Sequence, residues 1–489
     1  MTVRNESAPP PDATTSAAGH GAVVKRINVR QLVMIVLGYM SPLGAAAGYI
    51  ALVIAYGNGI GAPVTFLAAG VLFGLFAVGF GAIVKHVDRP GAFYAYATAG
   101  LGKRAGLAIA FLAALVYFLS SAGTLPLAGI VASDVVSGLF HGPSLPWWTY
   151  AIAMMAIAGA VCYRGVQLNA RVLGVIVIAE IAIILLFNVV TFARGGEAGR
   201  SVESFSFDAF TGGSVAIGFM FAFTLFCGFE TTAIYRDEVV DPARTIRRAT
   251  MIIVAVISIF YALTSWAIIT ALGANNAVGV AAAAPADAFP SAVSSMLGAA
   301  FGDIVRVLIV TSLLASEIAI LNAAARYVHN LSADGVLPTK IASAHPRYGS
   351  PSRAVLVAAV ASTLLVAAYA LTGAEPSKIY ATAAGAGIYA YEFTVFVVSI
   401  AIIVYFRRNR GSGENVWRTL VAPGLSAIAF GALLILSIQK FDLLVGERLP
   451  ITNATLALIL ATPVIGFLYA CYLAAKRRDV FERIGRSEA

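Results

Sequence analysis

Twelve apolar runs, each long enough to cross a lipid bilayer as a helix, follow one another along this 489-residue chain. This feature constrains the fold most, because a membrane-embedded helix satisfies its backbone polar groups internally. The runs lie near 32–56, 63–84, 105–139, 147–163, 168–193, 213–235, 249–272, 300–330, 353–373, 379–406, 417–438 and 453–475. The sequence therefore predicts an all-α membrane protein with twelve transmembrane helices (spans 1 to 12) in contact with the lipid bilayer.

Charge supports this class and also orients the chain. Only 12% of the residues are charged, whereas a soluble chain has about a quarter charged residues. The net charge of +9 would suit nucleic acid, but 27 of the 33 Lys and Arg residues lie in the termini and in alternate loops. Since cytoplasmic loops carry excess Lys and Arg, we expect no nucleic-acid partner. Both termini are predicted to lie in the cytoplasm, with the chain in the plasma membrane, the inner membrane of a bacterium.

Two of the predicted spans contain helix-breaking residues at their middle. In span 1, Pro42 removes a backbone donor, and Gly44 and Gly48 tolerate unwinding. In span 6, Gly228 lies two residues before Glu230, near the centre of an apolar run. A carboxylate there costs at least about 3 kcal/mol in lipid, so it faces a protein interior or a watery path. Because secondary transporters hold substrates at discontinuous helices, these positions predict transport.

The positions of the two breaks also predict an internal repeat. Spans 1 and 6 open the first and second sets of five spans, which is the arrangement of an inverted repeat. The predicted segments are a disordered cytosolic tail at 1–27, a first five-helix repeat at 28–200, a second at 201–410, spans 11 and 12 at 411–476, and a cytosolic tail at 477–489.

Backbone groups freed at the two breaks suit a zwitterion. The amides of Leu43, Gly44 and Ala45 are placed to bind a carboxylate at the positive end of a half-helix. The carbonyl groups of residues 223–227 are placed to accept hydrogen bonds from an ammonium group. Since an α-amino acid carries both groups on one carbon, the breaks predict an amino acid substrate.

Three motifs resemble those of the amino acid–polyamine–organocation (APC) superfamily of permeases. They are Phe223-Thr-Leu-Phe-Cys-Gly-Phe-Glu230 with Glu238-Val-Val-Asp-Pro-Ala-Arg244, Pro90-Gly-Ala-Phe-Tyr-Ala-Tyr-Ala-Thr-Ala-Gly-Leu-Gly102, and Asn322-Ala-Ala-Ala-Arg326 with Asp334-Gly-Val-Leu-Pro338. The resemblance implies a LeuT-like fold, a five-plus-five inverted repeat with broken helices 1 and 6. It also implies that the substrate lies between spans 1, 3, 6 and 8.

The resemblance also implies a set of substrate-binding residues. It places the family's carboxylate motif on Pro42-Leu43-Gly44, although Pro42 has no N–H to donate. Phe223 and Phe226 are expected near an aromatic gate, with lipid-facing or packing aromatics as the alternative. Glu230 is expected either to cap the second half-helix or to contact a cationic substrate. The full expected set is Ser41, Pro42, Leu43, Gly44, Ala45, Tyr117, Phe223, Phe226, Cys227, Gly228 and Glu230.

Further acids lie within predicted spans. Glu180 in span 5 aligns with a position at which family members carry a lysine in place of the sodium of more distant transporters. We therefore predict proton coupling through Glu180, with sodium binding or a structural glutamate as alternatives. Glu317 in span 8 is expected to share the proton path or to pair with Arg306 or another polar group. Asp134 and Glu392 are placed nearer to span ends, at the membrane interface.

Together these observations predict a secondary active transporter that imports an amino acid, a small-molecule substrate, together with protons. A polyamine or amine carrier is the alternative within this class, and a channel or a transport-derived sensor is a more distant one. The three cysteines lie in apolar runs, and the five histidines show no metal-ligand spacing. We therefore expect no cofactor, no metal site and no enzyme activity.

Overall fold

A computed structural model describes residues 27–485 apart from 90, 197–198, 200–201, 235, 237–238 and 440–449, so the predicted tail at 1–27 lies almost wholly outside it. Its regular elements are helical, and the β pairing in the described residues is limited to two isolated bridges, Ile27 with Val239 and Gly196 with Gly199. The α-helices are α1 Val29–Met40, α2 Pro42–Ala45, α3 Ala51–Tyr56, α4 Ala62–His86, α5 Phe93–Leu101, α6 Lys103–Asp134, α7 Trp147–Arg164, α8 Val166–Arg194, α9 Phe207–Thr211, α10 Val215–Thr224, α11 Thr231–Ile234, α12 Pro242–Leu272, α13 Ala274–Ala283, α14 Pro285–Leu297, α15 Ala299–Ala333, α16 Ser352–Ala370, α17 Pro376–Arg408, α18 Ala422–Gln439, α19 Pro450–Lys476 and α20 Arg478–Arg483.

Short turns of other helix types extend several of these elements. Single π-helical turns occupy Ala46–Ile50, Val135–Leu139 and Trp417–Val421, and 3₁₀ turns occupy Gly59–Gly61, Glu203–Phe205 and Thr339–Ala342. The turn at Ala46–Ile50 joins α2 to α3 and completes the second half of span 1.

The lengths of the helices agree with a membrane protein. Within the described residues, nine helical segments are long and apolar enough to cross a bilayer, and the bent pair Val29–Met40 with Pro42–Tyr56 makes a tenth. The other two predicted runs contain α7, whose ends carry aromatic and charged residues, and the short helices α10 and α11. The all-helical membrane architecture is confirmed, whereas the count of twelve crossings stays a prediction.

Small residues bring the long helices into close contact, as they do in other membrane bundles. At Gly70 on α4, a Cβ atom would overlap the side chain of Ser258 on α12. At Gly123 on α6, a Cβ atom would lie 3.2 Å from the backbone nitrogen of Ala384 on α17. These contacts place α4 against α12 and α6 against α17, and both pairs flank the broken helices.

Glu392 corrects one expectation from the sequence. It was predicted to lie near the membrane interface, but its side chain is fully buried at the middle of α17. Ser437 on α18 donates a hydrogen bond of 3.4 Å to Oε2 of Glu392. The prediction was wrong because α17 is 33 residues long and α18 packs over its centre.

Arg236 is held by hydrogen bonds beside the end of α4. Its Nε and Nη2 atoms donate to Oδ1 of Asp88 at 2.8 and 2.6 Å, and Nη1 donates to the carbonyl of Val84 at 2.6 Å. Asp241 caps α12 by accepting from the amide of Arg244 at 3.4 Å.

Candidate functional site

The first break lies at Ser41 and Pro42, as the sequence predicts. Helix α1 ends at Met40, and Ser41 takes a left-handed conformation with φ of +47°. Pro42 then starts α2, where its fixed φ suits a first helical position and its missing N–H is not needed. The two halves of span 1 are bent by about 40° at this point.

Side chains from two other helices occupy the amides that this break frees. The amide of Leu43 donates to Oε2 of Glu180 on α8 at 3.2 Å. The amide of Gly44 donates to Oγ of Ser312 on α15 at 3.2 Å, and this hydroxyl also lies 2.6 Å from Oγ of Ser41. A substrate carboxylate would therefore have to displace Glu180 and Ser312 from two of the three amides that the sequence assigns to it. The third prediction was wrong, because the amide of Ala45 continues the helix and donates to the carbonyl of Ser41 at 2.8 Å.

The second break separates α10 from α11. Helix α10 ends at Thr224, α11 begins at Thr231, and Gly228 between them has φ of +102°. A Cβ atom at Gly228 would overlap the ring of Tyr39, so both the backbone conformation and the available space require glycine. The break therefore depends on this single residue and on its packing against α1.

Glu230 is held by three donors beside this break. Its Oε2 accepts from the amide of Gly228 at 3.0 Å and from Oη of Tyr391 at 3.0 Å, while Oε1 accepts from Oη of Tyr117 at 2.5 Å. The side chain is 1% exposed. Because it accepts from the amide of Gly228, Glu230 has the contacts of a cap. Tyr117, its second tyrosine partner, belongs to α6. The role of Tyr391 was not predictable from the sequence, because it lies 161 residues from Glu230 and no spacing pattern connects the two.

A cavity of about 50 Å³ lies between the two breaks. Four predicted site residues line it, namely Ser41, Gly44, Ala45 and Cys227. The other lining residues are Tyr39, Met40, Tyr49, Ser120, Thr124, Leu127, Thr224, Leu225, Leu313, Ser316, Ile320 and Tyr380. Pro42, Leu43, Tyr117, Phe223, Phe226, Gly228 and Glu230 lie outside this lining. Since small-molecule sites usually measure about 300–1,000 Å³, this one must widen to admit a substrate.

Among the residues that the structure describes, the cavity lining has acceptors and hydroxyl groups but no Lys, Arg or His side chain. The carbonyl oxygens of Leu225 and Cys227 receive no hydrogen bond from the described part of the chain. The hydroxyl of Tyr380 is buried, and it also has no hydrogen-bond partner in the described part of the chain. Ser120 and Thr124 lie four residues apart on one face of α6, a spacing by which sequence analysis could have found them.

Phe223 and Phe226 belong to an aromatic cluster beside the cavity. Both are fully buried, and their ring centroids lie 5.1 and 4.7 Å from that of Phe73 on α4. Phe430 on α18 also contacts Phe73 and Phe223, at 5.1 and 5.2 Å. These are the contacts of packing aromatics, and neither ring faces lipid.

Glu317 lies on α15 beside α6. Its Oε1 accepts from Oγ of Ser121 at 2.6 Å, its Oε2 has no hydrogen bond from the described residues, and the side chain is fully buried. The alternative of a pair with Arg306 is wrong, because Arg306 donates to Asp287 at 2.8 Å and to Asp303 at 3.0 Å. Glu180 resembles Glu317, because one of its carboxylate oxygens, Oε1, also has no hydrogen-bond partner among the described residues.

Comparison with known proteins gives one family. The family model described as "Amino acid permease" matches residues 31–482. An uncharacterized transporter of Mycobacterium tuberculosis is 26% identical over 341 residues, which cover 70% of this chain and 73% of the relative. The low-affinity putrescine importer PlaP of Escherichia coli K12 is 23% identical over 430 residues, which cover 84% of this chain and 88% of the importer.

Proposed function

Because the chain belongs to the amino acid permease family, we propose that it is a secondary active transporter that imports a small amine, driven by protons. The proposal places it in the inner membrane of a bacterium with both termini in the cytoplasm, which the basic loops support. It includes a LeuT-like arrangement, with five-helix repeats at 28–200 and 201–410, spans 11 and 12 at 411–476, and twelve crossings in all. The two broken helices, at matching positions in the two repeats, support this arrangement.

The observation that carries the amine proposal is the polarity of the cavity between the breaks. Within the described part of the chain, the carbonyls of Leu225 and Cys227 receive no hydrogen bond and suit an ammonium group, and no cationic side chain lines the cavity to compete with it. The amides suited to a carboxylate are already occupied by Glu180 and Ser312. A relative named as a putrescine importer agrees with an amine.

An amino acid is the second candidate substrate, and the family's description favours it. It requires the first break to release Glu180 and Ser312 when the substrate arrives. Both candidates use the same ammonium site, so they differ only in what the α-carboxylate contributes to binding.

Lysine and 1,5-diaminopentane separate the two candidates, because they differ only by the carboxylate. In proteoliposomes with an inside-alkaline pH gradient, we expect the diamine to inhibit uptake of radiolabelled putrescine at about tenfold lower concentration than lysine. 3-Methylbutylamine and leucine, which also differ only by the carboxylate, extend the comparison to compounds with one amino group. Tighter inhibition by lysine would instead support the amino acid, and flux far above carrier rates without counterflow would indicate a channel.

Coupling is proposed to depend on Glu180. Its carboxylate joins α8 to the first break through the Leu43 amide, and a hydrogen bond to an ionised acceptor is about twice as strong as a neutral one. Protonation would weaken this link and free the two halves of span 1 to move. Glu317, which joins α15 to α6 through Ser121, is proposed as a second protonatable group on the path. Sodium binding at Glu180 is the alternative. Uptake driven by a sodium gradient, imposed without a pH gradient, tests it.

Replacing Tyr380 with phenylalanine is expected to raise KM about fivefold with kcat unchanged. The buried Tyr380 hydroxyl lines the cavity and has no partner in the described residues, so the substrate is its proposed partner. Losing one neutral hydrogen bond costs about 0.5–1.5 kcal/mol, which is roughly twofold to tenfold in affinity. Initial rates of uptake across a substrate series measure both constants.

The matched control for this variant is Tyr369→Phe. Tyr369 is also buried, but its hydroxyl lies 2.8 Å from Oγ1 of Thr455, away from the cavity. We expect its KM to match that of the unmodified protein. An unchanged KM in Tyr380→Phe would show that this hydroxyl does not contact the substrate.

A further inference from the structure

The chain after the last long helix folds back onto the protein. Helix α20 follows α19 almost directly, and the amide of Arg477 donates to the carbonyl of Leu473 at 2.8 Å. Val480 and Ile484 are 1% and 0% exposed, although residues 477–485 carry five charged side chains. The segment therefore buries its apolar residues against other elements instead of leaving the surface.

Gly485 is the most closely held residue of this segment. Its amide donates to Oη of Tyr94 at 2.8 Å and to Oδ2 of Asp334 at 3.0 Å, and Nη1 of Arg89 donates to its carbonyl at 2.8 Å. Tyr94 also donates to Oδ2 of Asp334 at 2.5 Å. The φ of +70° at Gly485 and its approach to Thr98 both favour glycine. This contact joins α5 to the turn that follows α15.

A second contact fixes the segment to the start of α6. Nζ of Lys103 donates to the carbonyl and to Oε2 of Glu482, both at 2.7 Å, and lies 5.5 Å from the ring centroid of Phe481. Val480 fits against the turn at Gly335, where a Cβ atom would lie 3.6 Å from its methyl groups. Residues 477–485 thus connect α5, α6 and the turn after α15.

Helix α5 transmits these contacts toward the substrate site. Its Gly100 packs against the backbone of Ala401 on α17, where a Cβ atom would overlap the carbonyl group. Its Phe93 ring lies 6.1 Å from the ring of Tyr391, which donates to Glu230 at the second break. Any displacement of α5 away from α17 would therefore disturb the partners of Glu230.

We propose that residues 477–485 are an intramolecular clamp that holds α5 against α17 and restrains opening of the cavity toward the cytoplasm. The clamp acts on the side that carries most of the basic residues, which is the predicted cytoplasmic side. Its contacts do not involve the cavity lining, so the proposal goes beyond the proposed function and holds for any substrate. Release of the clamp is expected to speed opening.

Cys227 supplies a reporter for this opening, because it lines the cavity and is 7% exposed. In a background of Cys162→Ala and Cys471→Ala it is the one remaining cysteine of the sequence. Deletion of residues 478–489 is expected to increase the rate at which a membrane-impermeant maleimide labels Cys227 in inside-out vesicles about fivefold. Deletion of residues 487–489 alone, which leaves the clamp contacts in place, is the control and should label at the original rate.

A disulfide provides the opposite test, which does not depend on the truncated protein folding. An ideal Cβ atom at Gly485 lies 3.1 Å from Cβ of Thr98, close to the range of about 3.5–4.5 Å found in disulfides. In Thr98→Cys with Gly485→Cys, oxidation is expected to slow labelling of the Cys227 peptide, as measured by mass spectrometry, and reduction to restore it. Equal labelling of the oxidised and reduced forms, or unchanged labelling in a folded truncated protein, would overturn the clamp.

Discussion

Substituting Glu180 with glutamine is expected to reduce accumulation against a gradient to a ratio of about one while leaving substrate exchange within about twofold of the original rate. Glutamine keeps the length of the side chain and an acceptor oxygen for the amide of Leu43, so the packing of α8 against the first break should survive. The side chain loses its negative charge and, with it, the ability to bind and release a proton. Because exchange moves substrate in both directions without net proton movement, it does not need that step.

Proteoliposomes measure both quantities, with uptake driven by an imposed pH gradient and exchange measured as counterflow of labelled substrate. Glu392→Gln is the matched control, since Glu392 is also fully buried on a long helix but contacts Ser437 outside the cavity lining. We expect this control to accumulate substrate normally. Normal pH-driven accumulation in Glu180→Gln would remove Glu180 from the coupling mechanism.

Replacing Gly228 with valine is expected to bring uptake to background and to weaken substrate binding at least tenfold. The φ of +102° at this position is strained for any residue with a Cβ atom, at about 1–3 kcal/mol, and a β-branched residue is affected most. The added atoms would also overlap the ring of Tyr39, which lines the cavity. The turn between α10 and α11 would have to change, and the carbonyls of Leu225 and Cys227 would move with it.

Uptake and the thermal shift produced by substrate measure this effect on purified protein. Gly74→Val is the control, because Gly74 lies on α4 with open space where its Cβ would be. The control variant should retain both uptake and the thermal shift. If Gly228→Val bound substrate with the original affinity, the break would not form part of the binding site.

The two breaks are predictable from the sequence because their causes are local. Pro42 lacks an N–H and Gly228 is free to take a positive φ, so each residue marks the break in its own span, although Gly228 also packs against Tyr39 on α1. The all-helical membrane class follows equally directly from the lengths of the apolar runs. These features depend on single residues or on continuous stretches of chain.

The partners of the freed amides are not predictable in the same way. Leu43 and Glu180 are 137 residues apart, and Gly44 and Ser312 are 268 apart, so only the packed fold brings them together. The surroundings of Phe223, Phe226 and Glu392 are likewise decided by packing. Lipid and neighbouring helices are both apolar, so the apolar pattern does not show which of them a side chain faces.

The ring of Phe73 has a consequence for how the transporter changes shape. It lies within 5.8 Å of the rings of Phe223, Phe226 and Phe229. Interlocked rings of this kind resist sliding, because any shift opens voids that close packing forbids. Because Phe229 follows Gly228, these rings tie both sides of the second break to α4, and residues 223–229 should move together with α4 as one rigid body. The turn around Gly228 would then keep its shape during transport, which makes the stiffness of an aromatic cluster a determinant of where the protein does not bend.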